Sequence, residues 1–222
     1  MTVPRRTERP RKAPIQARSV ATVEAVHEAA LQVLAAEGIA KLNTTRVAER
    51  AGVSVGSLYQ YYPNKRSLLI AVLDGHLFRV GAIIEQTCLA MRGRPLVEMA
   101  RVVATVFIDA KLQRPDASKA LYAIAEEQGG AALVARATRQ ATKAITAMLE
   151  TAPDVRKNAN VELASEMVLG AMVGAVRQLL KTDAPTRQTG KVREHLVLMC
   201  AAYLSATLVR SAPAGSARAA RR

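Results

Sequence analysis

TTRVAERAGVSVGSLYQYYPNK, residues 44–65, fits two short helices, a glycine turn and an aromatic, basic exit into twenty-two positions. Three of the five tyrosines in the chain, Tyr59, Tyr61 and Tyr62, fall within four residues of it, although aromatics make up only 3% of the protein. Such clustering calls for a local explanation.

Capping chemistry sets the element boundaries. The side-chain oxygen of Asn43 can accept a free first-turn N–H, so a helix is predicted from Thr44 to Ala51 with Val47, Ala48 and Ala51 facing inward. Gly52 stands where the C′ residue must turn left-handed, and Ser54 can cap the next helix, about Val55 to Tyr61. Val53 is the expected buried wedge between them and Leu58 the apolar anchor. The spacing is that of a helix-turn-helix.

The outer face of the second helix would carry Val55, Gly56, Ser57, Tyr59, Gln60 and Tyr61, small residues first, where bulk would hold a helix off the bases of a groove. Tyrosine hydroxyls can donate to phosphate oxygens, and Gln60 can bridge two positions of an adenine edge. Pro63 and Asn64 open another helix, whose first residues are Lys65 and Arg66. Cations at a helix N-terminus oppose its dipole, so they make more sense with a phosphate bound there.

On these residues the segment AERAGVSVGSLYQYYPNK resembles the N-terminal DNA-binding domain of the TetR family of bacterial transcriptional regulators. The likeness runs from about Ser19 to Leu69 and includes the preceding helix, its Gly38 stop and the exit through Lys65 to Leu69. It implies DNA contacts at Thr44, Thr45, Val55, Gly56, Ser57, Tyr59, Tyr61 and Lys65. Where many members carry histidine and phenylalanine this chain has Tyr61 and Tyr62, and Tyr62 takes the place of the ring that the family usually buries.

The whole chain reads as all-α: an N-terminal three-helix helix-turn-helix domain continuous with a larger helical ligand-binding and dimerisation domain. We expect a flexible basic arm over 1–18, the DNA-binding domain over 19–66, the effector-binding and dimerisation domain over 67–210, and a disordered tail over 211–222. The first helix, Ser19 to Glu37, places Val26, Ala29, Ala30, Val33 and Leu34 on one stripe. A long helix from Asn64 to Met91 links the two domains. Punctuation at Gly93 to Pro95, Pro115, Gly129 to Gly130 and Pro153 separates three more helices, followed by two apolar ones at Val161 to Lys181 and Lys191 to Arg210.

A helix apolar over much of its surface needs burial on more than one side. The resemblance implies a homodimer whose four-helix interface is built from the last two helices of each chain. Gly170, Ala171, Gly174 and Ala175 would allow close approach there, or equally tight packing within one subunit. Two recognition helices related by a two-fold axis would read double-stranded DNA as an inverted repeat.

Composition fits a polyanionic partner: 32 Lys+Arg against 18 Asp+Glu give a formal charge of +14. The arm concentrates Arg5, Arg6, Arg9, Arg11, Lys12 and Arg18 beside a single acid, Glu8, suited either to a minor groove or to solubility alone. Charges or polar residues are expected to interrupt every apolar run before the ~20 residues of a membrane span, and no stretch reads as a signal peptide, so a cytoplasmic location is expected. Cys88 and Cys200 read as core residues, and His27, His76 and His195 lack metal-ligand spacing. No cofactor or metal is expected.

Catalysis has no visible support. Glycine loops for phosphate, paired carboxylates and activated nucleophiles are all missing at recognisable spacing, and the adjacent Glu126 and Glu127 point roughly 100° apart on a helix. By analogy with the family, a small hydrophobic effector is expected among the middle helices, with Met99, Phe107, Tyr122, Glu126 and Met172 as candidate lining residues. The alternative is an architectural binder that holds DNA by charge with little sequence preference.

Overall fold

Glycine and proline punctuation divides the described residues, 12–181 and 186–209 of the computed structural model, into nine α-helices, with one isolated antiparallel bridge between Val155 and Val209. They are α1 (Lys12–Lys41), α2 (Thr44–Ala51), α3 (Val55–Tyr61), α4 (Lys65–Met91), α5 (Leu96–Leu112), α6 (Pro115–Glu127), α7 (Ala131–Leu149), α8 (Val161–Lys181) and α9 (Thr186–Leu208). The chain separates into two compact units between Val72 and Leu73, within α4.

The first unit is built on α1, α2, α3 and the opening turns of α4. Val26, Ala30 and Leu34 are buried on one side of α1, as are Val47 and Ala48 on α2, Leu58 on α3, and Leu68, Leu69 and Val72 on α4. The backbone of α1 leaves helical geometry at Gly38 (φ 78°, ψ 171°), where the glycine stop is expected, and recovers it for one more short stretch. The start of α1 differs from the expectation: residues 12–18, assigned to a flexible arm, are helical. Pro14 falls in the first turn, where its missing N–H has no intrahelical partner to lose. The rest of the arm and the tail beyond Val209 lie outside the described residues.

The second unit buries a continuous core among α4, α5, α7, α8 and α9. It includes Val80 and Ile84, Met99, Val103 and Phe107, Ile145 and Met148, Val168 and Met172, and Cys200 and Leu204. The turn into α7 is steric. A Cβ at Gly130 would stand 2.4 Å from Leu73 Cδ2 and 2.9 Å from Ala125 Cα, so only glycine fits. Both thiols are buried and free, as the sequence suggested, and burial pushes each up to about 11.

α9 begins at Thr186, five residues before the expected start. A second correction concerns membrane spans: Lys65–Met91 and Val161–Lys181 are long and apolar enough by length and composition to cross a bilayer. Sequence interruption by charge does not exclude them. Packing takes up part of each: Leu68, Leu69, Val72, Val80, Ile84 and Cys88 are buried on α4, and Val168, Leu169, Met172 and Val176 on α8, while Phe78, Ile83 and Leu89 on α4 and Leu163 and Met167 on α8 are exposed.

Candidate nucleic-acid interface and effector cavity

The recognition element assembles through hydrogen bonds three to five residues long. Arg46 N donates to Asn43 Oδ1 at 2.9 Å and Ser57 N to Ser54 Oγ at 3.0 Å, so both predicted N-caps form. Gly52 is left-handed at φ 68°, and beside it Val53 N reaches Ala48 O at 3.0 Å, which closes α2 and turns the chain into α3. Leu58 is completely buried and ties α3 to the unit's interior. Val53 and Ala51 are only half-buried; Val47 and Ala48 carry the inward face.

The nine candidate DNA-contacting residues fall into three groups. Thr45 on α2 and Gly56, Tyr59, Gln60 and Tyr61 on α3 are exposed, and Val55 and Ser57 on α3 are half-buried. Thr44 is buried, its Oγ1 3.1 Å from the Tyr59 hydroxyl. Lys65 is half-buried, and its Nζ donates to Ile39 O at 2.7 Å, so the ammonium anchors the chain just after the Gly38 break and keeps two further hydrogens to offer.

The tyrosines divide the same way. The Tyr61 hydroxyl lies 3.2 Å from Ser19 Oγ, which fixes an exposed ring against α1. Tyr62 is buried with its hydroxyl 2.8 Å from His27 Nε2, and burial first, then Tyr61, raises its pKa. One of the three is therefore buried, and the other two keep exposed rings. Arg46 and Arg50, both exposed on α2, were not among the expected residues; Arg46 pairs with Glu37, and Arg50 Nε donates to Gln32 Oε1 at 2.7 Å. Their charge was visible but not their orientation.

The second unit holds a cavity of about 90 Å³ walled by α4, α5, α6, α7 and α8. Leu73, Leu77, Val80, Ile84, Leu121, Val134, Leu169 and Val173 supply most of its surface. Phe107 and Tyr122 of the candidate effector residues line it. Met99 and Met172 are instead fully buried core, and Glu126 pairs with Arg177 outside the lining. The polar groups that do line it, His76, Lys111, Ser118 and Thr138, were not foreseen. A lysine on an otherwise apolar helix face was the available signal.

Lys111 Nζ is 3.3 Å from His76 Nε2 and 5.7 Å from the centre of the Tyr122 ring. Desolvation brings the Lys111 pKa down to about 8, while burial, then Lys111 and Arg79, lower His76 to about 3. At neutral pH the imidazole is neutral and accepts from an ammonium. Among the described residues no cluster of three or more His, Cys, Asp or Glu stands ready for a metal ion.

Comparison with known proteins covers both units. The family model for bacterial regulatory proteins of the tetR family matches residues 27–72, and that for the tetracyclin repressor-like C-terminal domain matches residues 95–204. The transcriptional repressor KstR of Mycolicibacterium smegmatis is 32% identical over 101 residues, covering 37% of this chain and 50% of that protein. The transcriptional regulator YvkB of Bacillus subtilis is 35% identical over 66 residues, 30% of this chain and 35% of YvkB. The matched segments thus span half or less of these relatives. Among solved structures, a TetR-family regulator from Mesorhizobium loti aligns with TM-score 0.68 at 17% identity, over 86% of this chain and 99% of that one. The fatty acid degradation regulator FadR of Bacillus halodurans aligns with TM-score 0.61 at 18% identity, over 78% and 97%.

Proposed function

Since the chain belongs to the TetR family of bacterial transcriptional regulators, we propose that it acts as a homodimeric repressor that reads an inverted-repeat operator and is released from it by a small molecule held in the second unit. The observation that carries the DNA-reading half is the outer face of α3. Gly56, Tyr59, Gln60 and Tyr61 are exposed while Leu58 on the opposite side is fully buried, so this seven-residue helix is anchored on one face and open on the other.

Each group has a defined task in this reading. Gly56 lets α3 approach the groove, Gln60 offers a donor and an acceptor to a base edge, and Tyr59 and Tyr61 donate to phosphates on either side. Thr44 works through Tyr59, whose ring it holds. Thr45, Val55 and Ser57 complete the contact surface, and Lys65 adds charge from the start of α4.

Dimerisation is proposed through α8 and α9. Leu163, Met167, Leu198 and Met199 are about half exposed, and Gly170 and Gly174 have open space where a Cβ would stand. An apolar stripe with small residues at its centre suits a second copy of the same two helices. For release, the cavity wall includes α4, the helix shared by both units, so a ligand that favours one position of its second half biases the first half too.

Selection of bound sequences from a random duplex pool, with full-length protein near physiological salt, tests the reading. Enrichment of an inverted repeat with half-sites one or two turns of DNA apart, ~34–36 Å or a multiple, is expected. Tight binding without any enriched sequence would replace the operator reading with an architectural, charge-driven one.

A further inference from the structure

The cavity of the second unit contains a charge that its own walls do not neutralise. Lys111 is 8% exposed, and its hydrogen-bond partner is the neutral Nε2 of His76. No aspartate or glutamate lines the cavity. Three acids next to the lining are engaged by arginines: Asp109 by Arg193 through two bonds of 2.7 and 2.8 Å, Asp74 by Arg136, and Glu126 by Arg177.

A buried ammonium without an anion is costly, and such a group persists where function requires it. Replacing it with a hydrophobic residue would improve an ordinary core. Here the cation faces an apolar space, with the Tyr122 ring beside it and the Tyr122 phenol held protonated by burial.

We propose that the cavity receives an organic monocarboxylate, its head on the Lys111 ammonium and its apolar body along α4 between Leu73 and Ile84. The class follows from three features of the walls. One lining cation matches one negative charge, whereas a phosphate or polyanion would bury charge without a partner. The lining on α4 spans eleven residue steps, ~16 Å of helix, which favours an elongated body over a compact one. The free space of about 90 Å³ is well below the ~300 Å³ of ordinary ligand pockets, so the body must be slim and the walls must part to admit it.

This proposal rests on the reading that the second unit holds the effector, and its test separates the two. Full-length protein is titrated calorimetrically at pH 7 with straight-chain carboxylates from butanoate to dodecanoate and with alcohols and amines of the same lengths. The same series is repeated on Lys111→Met and Lys111→Arg, each first checked for a cooperative thermal transition. At least one carboxylate should bind about tenfold or more tighter than its alcohol, lose that preference in Lys111→Met and keep most of it in Lys111→Arg.

Equal binding of acid and alcohol, an unchanged preference in Lys111→Met, or no binding by any member of the series would overturn the carboxylate site. Operator binding is measured alongside. A carboxylate that binds through Lys111 yet leaves operator affinity unchanged would confirm the site and remove its role as effector.

Discussion

At the residue scale, the side chains with two jobs are the informative ones. Lys65 was expected to face a phosphate, yet its ammonium already holds the Ile39 carbonyl at 2.7 Å. Lys65→Ala should therefore cost both folding and DNA binding: about 1–3 kcal/mol of stability from the lost charged hydrogen bond, and a salt dependence of DNA affinity shallower by about one unit. Unfolding in urea and titration across a salt series measure the two effects separately. The bond was invisible beforehand because its partner is a backbone oxygen twenty-six residues away.

His76 makes a pH prediction at the same scale. Its folded pKa of about 3 lies below the ordinary histidine value of 6.5, so between these values the unfolded chain takes up a proton that the folded chain refuses. The part of the stability that depends on His76 should thus be complete above about pH 6.5 and fall progressively towards pH 3. His76→Gln should flatten that part of the profile, read as Tm against pH, because glutamine can accept from Lys111 without titrating. An unaltered acid limb would place the sensitivity elsewhere.

At the scale of elements, local chemistry governs where helices begin and end. Asn43, Gly52 and Ser54 were legible because a cap acts on an N–H or carbonyl only a few positions away. Gly56→Leu isolates function from folding at this level. A Cβ at position 56 meets only Ser54 Oγ at 3.9 Å, so the helix tolerates the added side chain and circular dichroism should be preserved while operator binding is lost. Gly130→Ala should do the reverse: it overpacks the turn between α6 and α7 against Ala125 Cα and Leu73, costing about 1–3 kcal/mol. A wild-type melting profile for that variant would contradict the contact.

Element ends that rely on distant partners were not legible. Pro95 offers α5 no side-chain cap; Leu96 N is satisfied instead by Asp154 Oδ1 at 3.0 Å, fifty-eight residues on, while Gly93 N donates to Thr151 Oγ1 at 2.8 Å. The early start of α1 at Lys12 was missed for another reason: a basic composition suggested an arm where the backbone is helical.

At the scale of the whole molecule, the apolar stripe on α8 and α9 is the proposed dimer interface. Introducing charge with Met167→Glu and Leu198→Glu, at positions 55% and 54% exposed, should leave the subunit folded but shift its sedimenting mass from dimer to monomer. Operator affinity should then drop by orders of magnitude, because two half-sites are no longer bound together. A mass unaffected by both substitutions would move the interface to another face.

The sequence by itself determined the helical class, the recognition unit and its caps, the family, and nearly every helix boundary, because periodicity, glycine and proline act over one or two turns. Tertiary structure alone decided which candidate pocket residues meet. It placed Phe107 and Tyr122 on the cavity, Met99 and Met172 in the core and Glu126 on Arg177, and it set Lys111 against His76 across thirty-five residues of chain. A cavity is formed by side chains from several helices at once, and the angles at which those helices pack come from the summed burial of the whole core, which no single stretch of sequence encodes.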